Sequence, residues 1–118
     1  MSKIIILIFT LVILATNSQA RENFVPGISD LPVPANFYYL DDSSGIFNNS
    51  YGRFISANFR GKGEFKTINQ FYQKTLPALG WEAKEKFTYI RDEEILEIKI
   101  SKINETEIQL NIQLSPKQ

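Results

Sequence analysis

The residue types able to do chemistry in this chain are few. Seven serines lie beyond residue 20: Ser29, Ser43, Ser44, Ser50, Ser56, Ser101 and Ser115. A serine hydroxyl becomes a nucleophile when a neighbouring base takes its proton, and the usual base is histidine. The chain has no histidine and no cysteine. It therefore lacks the commonest metal ligand, the side chain that titrates near neutrality, and the thiolate nucleophile. No G-x-S-x-G elbow is present, and nothing singles out a Ser–Lys pair. Two carboxylate clusters, Asp41-Asp42 and Asp92-Glu93-Glu94, have the right charge for calcium or for paired acid–base work. Neither has the Asp-x-Asp-x-Asp-Gly spacing of a calcium loop, and both read as solubilising turns. Arg60 to Thr67, "RGKGEFKT", sets cations and glycines just ahead of a helix, where an anion can bind. It does not match a phosphate-binding loop and reads as a strand-to-helix connection. No catalytic, metal or cofactor site is expected, and the chain is not expected to be an enzyme.

The start of the chain has an export pattern. Lys3 precedes an apolar run, Ile4 to Ala15, and Ser18-Gln19-Ala20 supplies the small residues a signal peptidase requires. Cleavage is expected after Ala20, giving a signal peptide over residues 1–20 and a periplasmic or secreted product. The run is shorter than the ~20 apolar residues of a membrane-spanning helix, so no stable membrane insertion is expected once the signal is removed. Without Lys3 the chain holds 12 basic and 13 acidic residues, a balance with no surplus of cations for nucleic acid.

Residues 21–36 hold three of the five prolines. They read as a lead-in that packs through Phe24, Leu31 and Val33, with a proline-rich ligand segment as the sharper alternative. Residues 37–118 form the domain. Phe37 to Leu40 and Ile46-Phe47 are short strands separated by turn chemistry in "DDSSG". Arg53 to Arg60 alternates with period two. Thr67 to Leu79 repeats Ile68, Phe71, Tyr72, Thr75, Leu76 and Leu79 at helical spacing, with Thr67 and Gln70 placed as a capping box. Pro77, Gly80 and Trp81 follow. Proline lacks the N–H a helix interior needs, and glycine takes the left-handed conformation that reverses a chain. The group reads as a helix stop, with Trp81 folded back on Leu76 or Leu79. Strands are then expected at Trp81–Lys84, Phe87–Arg91, Ile95–Ile103 and Thr106–Leu114. The fold class is α+β: two layers, one helix on a twisted antiparallel sheet of five to six short strands, in the order β-β-(β)-α-β-β-β-β.

Aromatic residues are the unusual feature of the composition, 15 in all. Adjacent aromatics on one strand point to opposite faces, so one of Tyr38 and Tyr39 should face away from the helix. With Tyr51 and Phe54 these four residues form the candidate partner surface. Asn48-Asn49-Ser50 and Asn104-Glu105-Thr106 match glycan acceptors, a pattern that matters only in a eukaryotic secretory route.

The succession "LPVP", "YGRFISANFRGKG" and "FYQKTLPALGWE" resembles a family of small exported alpha-proteobacterial proteins of unknown function, of the Rickettsia type. The resemblance spans Leu31 to Leu114 and implies a periplasmic α+β domain. It brings no catalytic residues with it. The expected role is a periplasmic, non-catalytic module that binds an envelope protein or peptide. The alternatives are a binder of a small apolar ligand or lipid, held between helix and sheet, and a weak hydrolase built on Asp or Lys.

Overall fold

The computed structural model describes residues 23–117; the expected signal peptide and its cleavage site lie outside them. Nine strands and one helix follow in chain order: β1 (Asn23–Val25), β2 (Ile28–Val33), β3 (Phe37–Tyr39), β4 (Gly45–Asn49), β5 (Gly52–Lys62), α1 (Phe65–Ala78), β6 (Glu82–Glu85), β7 (Thr88–Arg91), β8 (Glu94–Lys102) and β9 (Glu107–Pro116). The α+β class and the four strands after the helix match the sequence expectation. The strand count does not. Five strands precede the helix, and they are divided between two sheets.

The large sheet has seven strands, in the order β3-β5-β9-β8-β7-β6, with β4 also paired to β5. Every pair is antiparallel. β5 runs up one side, α1 carries the chain across the sheet face to the far edge, and β6, β7, β8 and β9 meander back until β9 lies beside β5. The period-two pattern explains the register. Ile55, Ala57 and Phe59 stand opposite Leu114, Ile112 and Leu110, and Leu96 and Ile98 stand opposite Leu114 and Ile112. One face is thereby apolar, and all eight of these side chains are buried.

The free edge of β5 is shared. β4 pairs with Gly52 to Ser56, and β3 pairs with Phe59 to Gly61. Asn58 sits at the changeover. Its N–H donates to the Ser44 hydroxyl (2.9 Å), and its carbonyl accepts from the Leu40 N–H (2.8 Å). Its side-chain amide donates to the Ser43 carbonyl (2.7 Å). A side-chain oxygen here replaces a missing strand partner, so the "DDSSG" turn is stitched to β5 as a 3-10 turn over Asp41–Ser43. Gly61 is also specified by its neighbours. A Cβ there would run into the Asn36 carbonyl and lie 2.6 Å from the Phe37 ring, which covers the glycine from β3.

The helix begins two residues earlier than its pattern implied, and the expected capping box is absent. Glu64 is the N-cap, with extended backbone and no side-chain cap bond. Thr67 falls inside the first turn, where its hydroxyl cannot serve as a cap. Ile68, Tyr72 and Leu76 are buried, while Phe71, Thr75 and Leu79 form a half-buried flank. The stop is as expected. Gly80 has φ +94°, its N–H donates to the Pro77 carbonyl, and the Trp81 N–H donates to the Leu76 carbonyl, both at 3.0 Å. This pair of bonds is the Schellman closure, which satisfies carbonyls left open at a helix end. Trp81 is buried beside Leu76 in the core.

The lead-in is not a strap but a hairpin. β1 and β2 form a separate two-stranded sheet. Val25, Ile28, Leu31 and Val33 are buried in the core, whereas Phe24 is turned outward. The expectation for Phe24 fails because Phe24 pairs with Pro32, which alternation places on the face opposite Leu31 and Val33. The Tyr72 hydroxyl donates to the Pro32 carbonyl (2.8 Å), fixing the hairpin to the helix. Burial pushes the Tyr72 phenol well above its ordinary range.

Two arginines attach the hairpin to the sheet. Arg53 pairs with Glu94 (2.8 Å) and donates to the Gly27 carbonyl (2.7 Å). Arg91 pairs with Asp30 (2.8 Å), donates to the Leu79 carbonyl (2.9 Å), and lies over the Trp81 ring at 4.3 Å. Hydrogen bonding to Arg91 holds the Asp30 carboxyl below its ordinary value of 3.8, against a smaller opposing effect of desolvation.

Two outcomes follow. Gly61→Ala should destabilise the fold by about 1–3 kcal/mol through overpacking, read as a lowered denaturation midpoint at unchanged slope. Asp30 has a depressed folded pKa, so its stabilisation is present above the unfolded value and is lost as pH falls below 3.8. Asp30→Asn should therefore be less stable than the parent at neutral pH, with the difference closing in acid-denaturation curves as pH falls below 3.8.

Candidate functional site

Four residues mark the expected surface, and the structure divides them. Tyr38 stands opposite Arg60 and is 54% exposed, on the face of the sheet away from the helix. Tyr39 takes the other face. It packs against the core, its ring 5.4 Å from that of Phe59, so it does not share a surface with Tyr38. Tyr51, in the β4–β5 turn, is 77% exposed. Phe54 is half-buried beside Phe47, with ring centroids 6.0 Å apart. Tyr51, Phe54 and Phe47 therefore gather at one end of β5. Tyr38 lies six residues further along, about 20 Å at ~3.3 Å per residue.

The residue missing from the expected surface is Phe47, whose strand, expected at Ile46-Phe47, runs over the five residues of β4. All five residues of β4, "GIFNN", are exposed, and the strand has no charge and no proline. Only β5 pairs with it, so its outer row of backbone N–H and C=O groups is free. Ile46 and Phe47 are both more than half exposed. The opposite edge of the sheet differs sharply. β6, "EAKE", is also fully exposed but carries Glu82, Lys84 and Glu85. Charges on an edge strand oppose pairing with another chain. The signal was present in "GIFNNSYG", an uncharged β-prone run ended by a turn. Its edge position could not be read without the strand order.

A second concavity lies between α1 and the hairpin. It encloses about 590 Å³ and is lined mainly by Phe24, Pro32, Val33, Phe71 and Leu79, with Asp30 on its rim. The space between helix and sheet, by contrast, is filled: Tyr72, Leu76 and Trp81 are each no more than 1% exposed.

The carboxylate clusters are separated. Asp41 and Asp42 lie exposed in the 3-10 turn before β4. Glu94 is committed to Arg53 at the other end of the β5 edge. Among the described residues no three metal-ligating side chains come together. The glycine segment before α1 places the Glu64 carboxylate at the helix start, where it would repel an anion. Of the serines, Ser43 and Ser44 serve the Asn58 junction. Among the described residues, no helix is long and apolar enough to cross a membrane.

No family model, curated protein or solved structure matches this chain.

The exposure of Phe47 has a measurable signature. Phe47→Ser should cost less than about 1 kcal/mol, as surface changes do. Phe59→Ala, in the core, should cost about 3–5 kcal/mol. Urea denaturation of the two variants checks the contrast.

Proposed function

We propose that this protein is an exported, non-catalytic module of the cell envelope that binds an extended segment of another protein by strand addition to β4. The observation that carries this reading is the unguarded edge of β4: uncharged, fully exposed, and bearing Ile46 and Phe47. In strand addition the backbone hydrogen bonds supply affinity, and side chains on alternate positions supply selection. Ile46 stands on the helix-side face of the sheet and Phe47 on the other, so an added strand would meet one apolar side chain on each face. The charged edge at β6 supports the same reading, since charges on an edge strand oppose pairing and β4 carries none. The export pattern over residues 1–20 and the resemblance to small exported proteins support the envelope location.

A second reading rests on the groove between α1 and the hairpin. Its volume and apolar lining fall within the range of small-molecule sites, and it suits a small apolar ligand or a lipid chain. Such a ligand would lie beside the helix, since the helix–sheet interior is filled.

Random peptides displayed on phage and selected on the purified protein test the first reading. Enriched peptides should bind at micromolar Kd and slow hydrogen exchange at the β4 amides. An Asn48→Pro variant, which removes a backbone donor from the edge strand, should lose them. Selection that enriches nothing, or binders that protect the α1–hairpin groove instead of β4, would overturn it. An acyl ligand retained in native mass spectrometry would favour the second reading.

A further inference from the structure

The edge also carries features that would choose among extended segments. Gly45, the first residue of β4, stands opposite Ser56 on the face away from the helix. A Cβ added there would meet nothing within 4 Å. Beside it lies a shallow dish of about 310 Å³, walled by Phe47 and Phe54 and floored by Ser56 and Gln113. On the opposite, helix-side face of β5 a glycine is covered: Gly61 lies under the Phe37 ring, supplied by the neighbouring strand β3. An aromatic ring on an adjacent strand compensates for a glycine that leaves a sheet uncovered. At Gly45 that place is vacant, because β4 has no outer neighbour.

Charge gives the direction. Asp41 and Asp42 lie three or four residues before Gly45 and are exposed, and among the described residues neither takes part in an ion pair. At the other end of β4 the nearest cation, Arg53, is already paired with Glu94. The edge is therefore acidic at its Gly45 end and balanced at its Asn49 end. Every strand pair among the described residues is antiparallel. A strand added in the same sense would point its C-terminal end toward Asp41 and Asp42.

Resting on the strand-addition reading above, we infer that β4 selects segments with a large aromatic residue opposite Gly45 and Lys or Arg in the next few positions C-terminal to it. The aromatic ring lies across Gly45 into the dish between Phe47 and Phe54. The cations sit beside Asp41 and Asp42. A second copy of this chain is the poorer occupant. A five-residue strand falls well short of the roughly 800 Å² per partner of a stable interface, and two-fold pairing would set Asp41 and Asp42 against a turn whose arginine is already neutralised.

Four capped ten-residue peptides of alternating Val and Thr test this. The first carries a central Trp followed by two Lys. In the second Glu replaces the Lys, in the third Ala replaces the Trp, and in the fourth a proline interrupts the strand. Binding is read by fluorescence anisotropy and site by hydrogen exchange on the full chain. The Lys peptide should bind about five- to tenfold more tightly than the Glu peptide at low salt, as expected for a pair of exposed charge contacts. That ratio should fall to about one in Asp41→Asn/Asp42→Asn and in high salt, where exposed charges are screened. The Trp-to-Ala loss should vanish in Gly45→Val, whose side chain would fill the opening the ring needs, its Cβ meeting nothing within 4 Å. Peptides that protect the β4 amides with no charge preference, or with the same preference in the aspartate variant, would overturn this inference and leave strand addition standing. If none of the four protects β4, strand addition itself fails, and the selectivity with it.

Discussion

One sheet face must be covered, and the helix is too small to cover it. Six strands side by side span about 24 Å at ~4.8 Å per strand. α1 has 14 residues, about 21 Å of helix and some 10 Å of width. Laid against β8 and β6, it leaves the apolar face of β5 uncovered. The β1–β2 hairpin fills that gap: its turn meets Ile46 and Ile55, and its inner residues Val25, Ile28, Leu31 and Val33 join the core. The second layer is therefore composite, half helix and half hairpin. A chain without disulfides and of this modest size must bury most of its apolar surface to hold one fold. Its proline-rich beginning serves as core, not as a tail.

A composite layer has a seam, and the polar contacts of the fold concentrate there. Arg91 touches all three parts that meet at the seam: the Asp30 carboxylate on the hairpin, the Leu79 carbonyl at the helix end, and the Trp81 ring beneath. A cation at a helix C-terminus is favoured by the carbonyls left open there. The same guanidinium is fixed in place by the ring and the carboxylate. The helix stop explains why Arg91 can do this. The Gly80 reversal brings Trp81 under the last turn, and the chain returns two strands later with Arg91 above it. Arg53 plays the matching part at the far corner, tying Gly27 to Glu94, and hydrogen bonding to Glu94 raises its pKa above the ordinary arginine range.

What was legible in the sequence divides along the range of the forces involved. Period-two runs announced β5, β8 and β9, and the helix stripe and its glycine stop were plain, because neighbouring residues determine them. The capping box failed for a tertiary reason: the chain leaves β5 through Gly63 and the extended Glu64, and the helix starts just past the strand's end. The hairpin was hidden because prolines usually break strands. Pro32 is tolerated here on a two-stranded sheet, where a strand has an edge with no ladder bond to lose. The partition of Tyr38 and Tyr39 between faces followed from alternation, but which tyrosine went outward depended on Phe37 covering Gly61. Phe47 was placed on a short strand but not on the surface. Its pairing with Phe54 looks like an ordinary hairpin, and only the strand order shows that nothing lies beyond it.

A long, flat, apolar edge is an aggregation hazard, and β4 is neither long nor isolated from charge. It spans five residues. It is bounded on one side by the 3-10 turn with Asp41 and Asp42 and on the other by the tight Ser50-Tyr51 turn. Beyond Asn58 the same side of β5 is taken by β3, so no continuous edge runs the length of the sheet. These limits allow a short segment to add while denying the extended register that fibril growth needs. They also account for the Asn58 junction. Had β3 and β4 been one straight strand, the edge would have been twice as long and equally bare. The side-chain bonds from Asn58 to Ser43 and Ser44 break it at the point where the acidic pair can stand guard.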